Sequence, residues 1–173
     1  MGKCKNCGKE TLRGYEYCLQ CARASRKPRQ SSDRAHQTRR DYGPSVPAEC
    51  IFGGGFYGDD GYLRKEIFMD AAEKMARILQ SKRMTQASIR HLFNMVKAVE
   101  IRLKADRNLP MGFVRENFFK FVRQTDYQVG RGIIPGIFRE LVDAHKDIVV
   151  KDKEEFKGFV EYLTSIVARM KQK

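Results

Sequence analysis

From Tyr62 to Lys173 the large apolar residues recur every three or four positions and nowhere alternate over a useful length. That period suits a helix turning 100° per residue and excludes a strand, whose buried positions recur every second residue. Ile67, Phe68, Ala71, Ala72, Met75, Ile78 and Leu79 mark the inner face of a first helix that runs to about Gln80. Thr85 is placed to cap a second, with Ile89, Leu92, Phe93, Val96, Val99 and Leu103 inward and Asn108-Leu109-Pro110 as its stop. Met111-Gly112 leads into a third, with Val114, Phe118, Phe121 and Val122 buried, and Gly130-Arg131-Gly132 ends it. Pro135 starts the fourth, lined by Phe138, Leu141, Val142, His145 and Val149. Asp152 with Glu155 three residues on has the form of a capping arrangement for the last, whose inner positions run from Phe156 to Met170. The predicted fold is therefore all-α, a bundle of about five helices over residues 62–173.

The first 21 residues obey a different rule. Cys4-x2-Cys7 and Cys18-x2-Cys21 are two short turns, each able to bring two sulfurs to one ion at about 2.3 Å, and together they supply the four tetrahedral ligands of a structural zinc. Gly8 after Cys7 suits such a turn, where a backbone amide swings toward sulfur. Iron on four thiolates is the alternative; the short spacer and Ala22 after the second pair favour zinc. Cys50 stands apart. A reducing compartment would disfavour disulfides among these thiols. Residues 1–24 are thus expected to form a zinc-ribbon-like module. From Ala22 to Ala48 almost no large apolar residue occurs, and Gly53-Gly54-Gly55-Phe56-Tyr57-Gly58 follows, so residues 25–61 read as a basic and then glycine-rich flexible linker.

Thirty-four Lys and Arg against 21 Asp and Glu give a formal charge of +13. A field of that sign gathers polyanions, which makes nucleic acid the expected partner. The excess is concentrated: residues 74–107 carry nine basic side chains against Glu100 and Asp106 alone. On the second helix Arg90, Lys97 and Lys104 recur every seven residues, drifting about 20° per step and standing roughly 10 Å apart, a row suited to a phosphate backbone. Lys82, Arg83, Arg102 and Arg107 widen the surface, and Asn94 adds a neutral donor. The helical Phe residues all fall at core spacing, so base stacking is not expected and backbone contact is.

No catalytic motif emerges, and the chain is not expected to be an enzyme. The Gly-x-Gly-x-x-Gly at 53–58 lacks a preceding strand, has Asp59 and Asp60 where a pyrophosphate would sit, and is better explained as a hinge. Asp59 and Asp60 are expected to cap the helix that follows. His36, His91 and His145 have no partner in sequence, and His145 falls on an inner face. No apolar run is long enough to span a bilayer and no secretory signal is evident, so a cytoplasmic location is expected.

Met84-Thr85-Gln86-Ala87-Ser88-Ile89-Arg90-His91-Leu92-Phe93 before a long amphipathic helix, with Phe156-x-x-Phe159-Val160 and Ile166-Val167-Ala168-x-x-Lys171 at the end, resembles the small subunit of the type III-A CRISPR effector, the Csm complex. The likeness covers about Tyr62 to Lys173. It departs at Thr164-Ser165, usually Glu-Ala, and at Arg169, usually Tyr. The resemblance implies a non-catalytic subunit present in several copies, stacked along guide RNA and its paired target RNA beside other subunits, with Arg90 near the RNA. A zinc-ribbon DNA-binding regulator with a helical dimerisation domain is the rival reading, and duplex DNA preference would mark it.

Overall fold

A computed structural model describes residues 2–11, 16 and 46–170. The chain divides into two units, residues 1–41 and 42–173, each considered by itself. In the first, β1 (Gly2–Lys3) pairs antiparallel with β2 (Glu10–Thr11), with Gly2 opposite Thr11 and Lys3 opposite Glu10. The turn between them carries the first cysteine pair. The Gly8 amide donates to the Cys4 carbonyl at 3.0 Å, and Gly8 sits at φ +70°, a left-handed conformation that a side chain would disfavour. Cys4 is buried and Cys7 exposed. Cys18 and Cys21 lie outside the described residues, as does the linker expected from residue 25 to 45.

The second unit is helical, as its periodicity requires. A single turn, α1 (Lys65–Phe68), precedes α2 (Asp70–Ser81), α3 (Gln86–Ala105), α4 (Met111–Gly130), α5 (Gly136–Val149) and α6 (Lys153–Arg169). The first expected helix is thus divided, because Met69 leaves helical dihedrals (φ −120°, ψ −107°). Two caps match the sequence. The Thr85 hydroxyl accepts from the Ser88 amide at 3.1 Å, and the Asp152 carboxylate accepts from the Glu155 amide at 2.8 Å. Helix α6 is the hub, packing against every other helix of the bundle. Phe156, Phe159, Val160, Tyr162, Leu163 and Ile166 are all buried along it, a stripe too wide for one face, as a helix enclosed by its neighbours demands.

The segment 46–61 corrects the expectation of a flexible linker up to residue 61. Val46, Cys50, Phe52 and Phe56 belong to the core, Cys50 and Phe56 with no exposed surface. Burying each of the two Phe side chains contributes roughly 1.5–3 kcal/mol. Polar bonds fix this strap to α5 and α6: the Phe52 amide donates to His145 Nε2 at 3.0 Å, the Phe56 amide to Glu155 Oε2 at 2.8 Å, and the Tyr162 hydroxyl to the Cys50 carbonyl at 3.2 Å. Close approach explains one glycine of the strap, Gly55, and one of α6, Gly158. Gly55 has φ +106°, and a Cβ on it would lie 2.5 Å from the Glu155 carboxylate. Gly158 of α6 has no room for a Cβ because the Phe56 side chain fills that space. Glu155 therefore serves the strap and does not close a reciprocal capping box. Asp59 and Asp60 do not cap α1 either. Its N-cap position is Arg64, without a side-chain cap, and Asp60 accepts from the Tyr62 amide at 3.1 Å, closing a turn five residues earlier in the chain.

His145 is fully buried. Its Nδ1 stands 2.7 Å from the Leu141 carbonyl and carries the proton, which leaves Nε2 to accept from Phe52. Burial holds its pKa below the usual 6.5, against the opposing pull of the Leu141 hydrogen bond.

Candidate nucleic-acid interface

Helix α3 positions the basic row because its buried stripe, Ile89, Leu92, Val96, Val99 and Leu103, fixes which side turns outward. Arg90 is exposed, and among the described residues it forms no ion pair. Asn94 is exposed one turn on. Lys82 and Arg83 precede the helix in an exposed turn, where Arg83 takes φ +65° and its amide donates to the Gln80 carbonyl at 3.0 Å, closing the end of α2. Arg102 lies over the Phe113 ring, its guanidinium carbon 5.9 Å from the centroid. Arg107 is exposed beyond the helix end, and its carbonyl accepts from Lys153 Nζ at 2.8 Å.

The other two members of the heptad row are differently placed. Glu100, 1% exposed, sits between them inside the apolar stripe. Its Oε2 is 2.6 Å from Lys97 Nζ and its Oε1 is 2.7 Å from Lys104 Nζ. Lys97 also lies 3.6 Å from Glu161 of α6. Burial pushes the Glu100 carboxyl up, but hydrogen bonds from Lys104 and Lys97 outweigh it and hold the group below the ordinary 4.5. The bond to Glu100 raises the Lys104 pKa in turn. Two lysines facing two glutamates cancel in charge, so the C-terminal part of the row is locally neutral and its uncancelled cation is Arg90, in the first turns of α3. The 20 residues of that helix span roughly 30 Å.

This quartet was hidden from the composition argument, which counted Glu100 as a surface offset. Its signal was present in the spacing, since Lys97-x2-Glu100-x3-Lys104 places both cations within reach of one carboxylate. The structure also corrects the expectation that every helical Phe is inward: Phe119 is 55% exposed and Phe68 38%. Among the described residues no group of three or more His, Cys, Asp or Glu side chains could hold a metal ion, and two of the four expected zinc ligands lie outside them. His91 is exposed on α3, and His36 is outside the described residues. No helix among those described is long and apolar enough to cross a membrane.

A protein-family model described as Csm2 Type III-A matches residues 63–172, well over half of the chain. No curated protein and no solved structure matches it.

Proposed function

The chain belongs to the Csm2 Type III-A family, the small subunit of the type III-A CRISPR complex, and from that premise we propose that it holds RNA through phosphates without cutting it. The guide RNA and its target are the strands in question, and several copies of the chain lie along them beside the other subunits. The observation that carries the reading is the exposed, unpaired cationic surface about α3, Arg90 with Lys82 and Arg83 at one end and Arg102 and Arg107 at the other. Lys97 and Lys104 contribute less than their spacing suggests, because Glu100 and Glu161 already face them. Such a surface contacts phosphate and 2′-hydroxyl groups and carries no base code.

The N-terminal unit belongs to the same proposal in a structural role. Cys4, Cys7, Cys18 and Cys21 hold one Zn²⁺, which folds a module too small for a core of its own. The tight turn at Gly8 between the first pair and β2 supports this assignment.

Titration of single-stranded RNA, guide-paired RNA and duplex DNA across a salt series tests the reading. RNA binding with a log-log salt slope that drops by about 0.7 for each phosphate contact removed is expected. Tighter binding to duplex DNA would overturn it in favour of a DNA-binding regulator. Purification from native cells should bring down short RNAs within a multi-subunit assembly.

A further inference from the structure

The loops 106–110, after α3, and 150–152, between α5 and α6, belong to distant parts of the sequence and are brought to one end of the bundle. Lys153 Nζ donates to the Arg107 carbonyl at 2.8 Å, and Arg115 Nε donates to the Val150 carbonyl at 3.0 Å, so α3, α4, α5 and α6 are tied together there. Resting on the RNA-binding reading above, the geometry points to this end of the bundle as a discrete phosphate-binding surface for single-stranded RNA, formed by Arg102, Arg107, Arg115, Lys151 and Lys153.

Four of the five cations are exposed, and Lys153 is partly so. Three are already oriented by neutral partners that leave their charge uncancelled. Arg102 is held against the Phe113 ring, Arg115 uses only Nε on a carbonyl, and Lys153 commits one of its three donors. A guanidinium ordered in this way loses little entropy when phosphate arrives, which favours binding over a loose lysine coat. The side chains of Arg107 and Lys151 make no hydrogen bond or ion pair among the described residues. The loop acids are Asp106 and Asp152, and both accept from backbone amides, Asp106 from Asn108 at 2.9 Å in a turn and Asp152 from Glu155 at 2.8 Å as the cap of α6. Nearby Glu116 and Glu154 are paired with Lys120 and Lys157. The count is five cations against two acids, whereas Lys97 and Lys104 are balanced by Glu100 and Glu161. Helix α4 also begins here with no side-chain cap and no acid in its first turn, so its positive end adds to the same field.

The test uses the full chain and a labelled single-stranded RNA. Arg107→Gln with Lys151→Gln removes two charges without touching a hydrogen bond, so folding is preserved and a thermal melt checks it. We expect the log-log salt slope to fall by about 1.4 and affinity at roughly 50 mM salt to drop at least about tenfold. Arg107→Lys with Lys151→Arg should restore both. Unchanged affinity and slope in the Gln pair, beside a loss in Lys82→Gln with Arg90→Gln, would overturn this surface while leaving RNA binding in place. No RNA binding by the unaltered chain would defeat both readings. A Gln pair that binds RNA normally but no longer joins its assembly would assign the surface to an acidic protein partner and overturn the proposal.

Discussion

Replacing Glu100 with Gln should weaken the fold and tighten RNA binding, an opposed pair of effects that few substitutions would produce. In the native protein one carboxylate, 1% exposed, forms ion pairs with two ammonium groups at 2.6 and 2.7 Å. Hydrogen bonds to a charged group are worth about 1.5–3 kcal/mol each when buried. The Lys97 and Lys104 side chains are 30% and 60% exposed, so water recovers much of that loss. The Gln oxygen retains one acceptor, and removing a buried anion relieves its desolvation. The net cost is about 1–2 kcal/mol, a fall of a few degrees in melting temperature.

The same change leaves one uncancelled positive charge on the outward side of α3, since Lys104 loses its partner while Lys97 still lies 3.6 Å from Glu161. If that side faces RNA, the salt slope rises by up to about 0.7 and affinity increases. The pH dependence supplies a third readout. A carboxyl whose folded pKa is depressed contributes stability above its unfolded pKa and loses it as pH falls through the folded value. Glu100 is held below 4.5, so the native protein should lose its advantage over Glu100→Gln in acid below about that pH. Urea denaturation from pH 7 to pH 3 and RNA titration at pH 7 measure these quantities. Lower RNA affinity in Glu100→Gln, or no change, would refute the idea that the quartet neutralises an RNA-facing row.

His145 has the opposite source of acid sensitivity. Its pKa is lowered by burial, so the unfolded chain takes up the proton first and stability declines as pH falls below about 6.5, by up to about 1.4 kcal/mol per pH unit. Denaturation midpoints for His145→Gln should lack that slope between pH 6.5 and 5. Gly158→Ala introduces a methyl where the Phe56 side chain sits, and should cost about 1–3 kcal/mol through overpacking, visible in the melt. The purified chain should contain one zinc per molecule by elemental analysis, and Cys4→Ser with Cys18→Ser should abolish it while the melting of the helical unit stays unchanged.

The bundle was legible because its burial is periodic: each helix hides a stripe, and a stripe repeats in sequence. Even the hub shows itself in α6, where Phe156, Phe159, Val160, Leu163 and Ile166 crowd more than one face. The strap was not legible, for the converse reason. Val46, Cys50, Phe52 and Phe56 follow no helical or alternating period, and their stability depends on partners about 93 to 112 residues away, His145, Glu155 and Tyr162. Glycines beside aromatic residues read as a hinge, yet close packing also selects glycine, and the neighbours that show this cause, Glu155 against Gly55 and Gly158 against Phe56, lie on a distant helix.

The candidate interface divides along the same line. Heptad spacing places Arg90, Lys97 and Lys104 on one side of α3, since that follows from helix geometry alone. Whether a cation on that side is available depends on what lies beside it, and Glu161 reaches Lys97 from another helix. Charge counted along a segment measures the long-range field that draws RNA in, whereas the contacts that hold it depend on which charges remain uncancelled after packing. By that criterion the strongest site need not lie on the most basic stretch of sequence. Arg115, Lys151 and Lys153 are unremarkable in their own segments, but the bundle assembles them at the end of α3 that carries Arg102 and Arg107, while Lys97 and Lys104 are drawn into a neutral quartet.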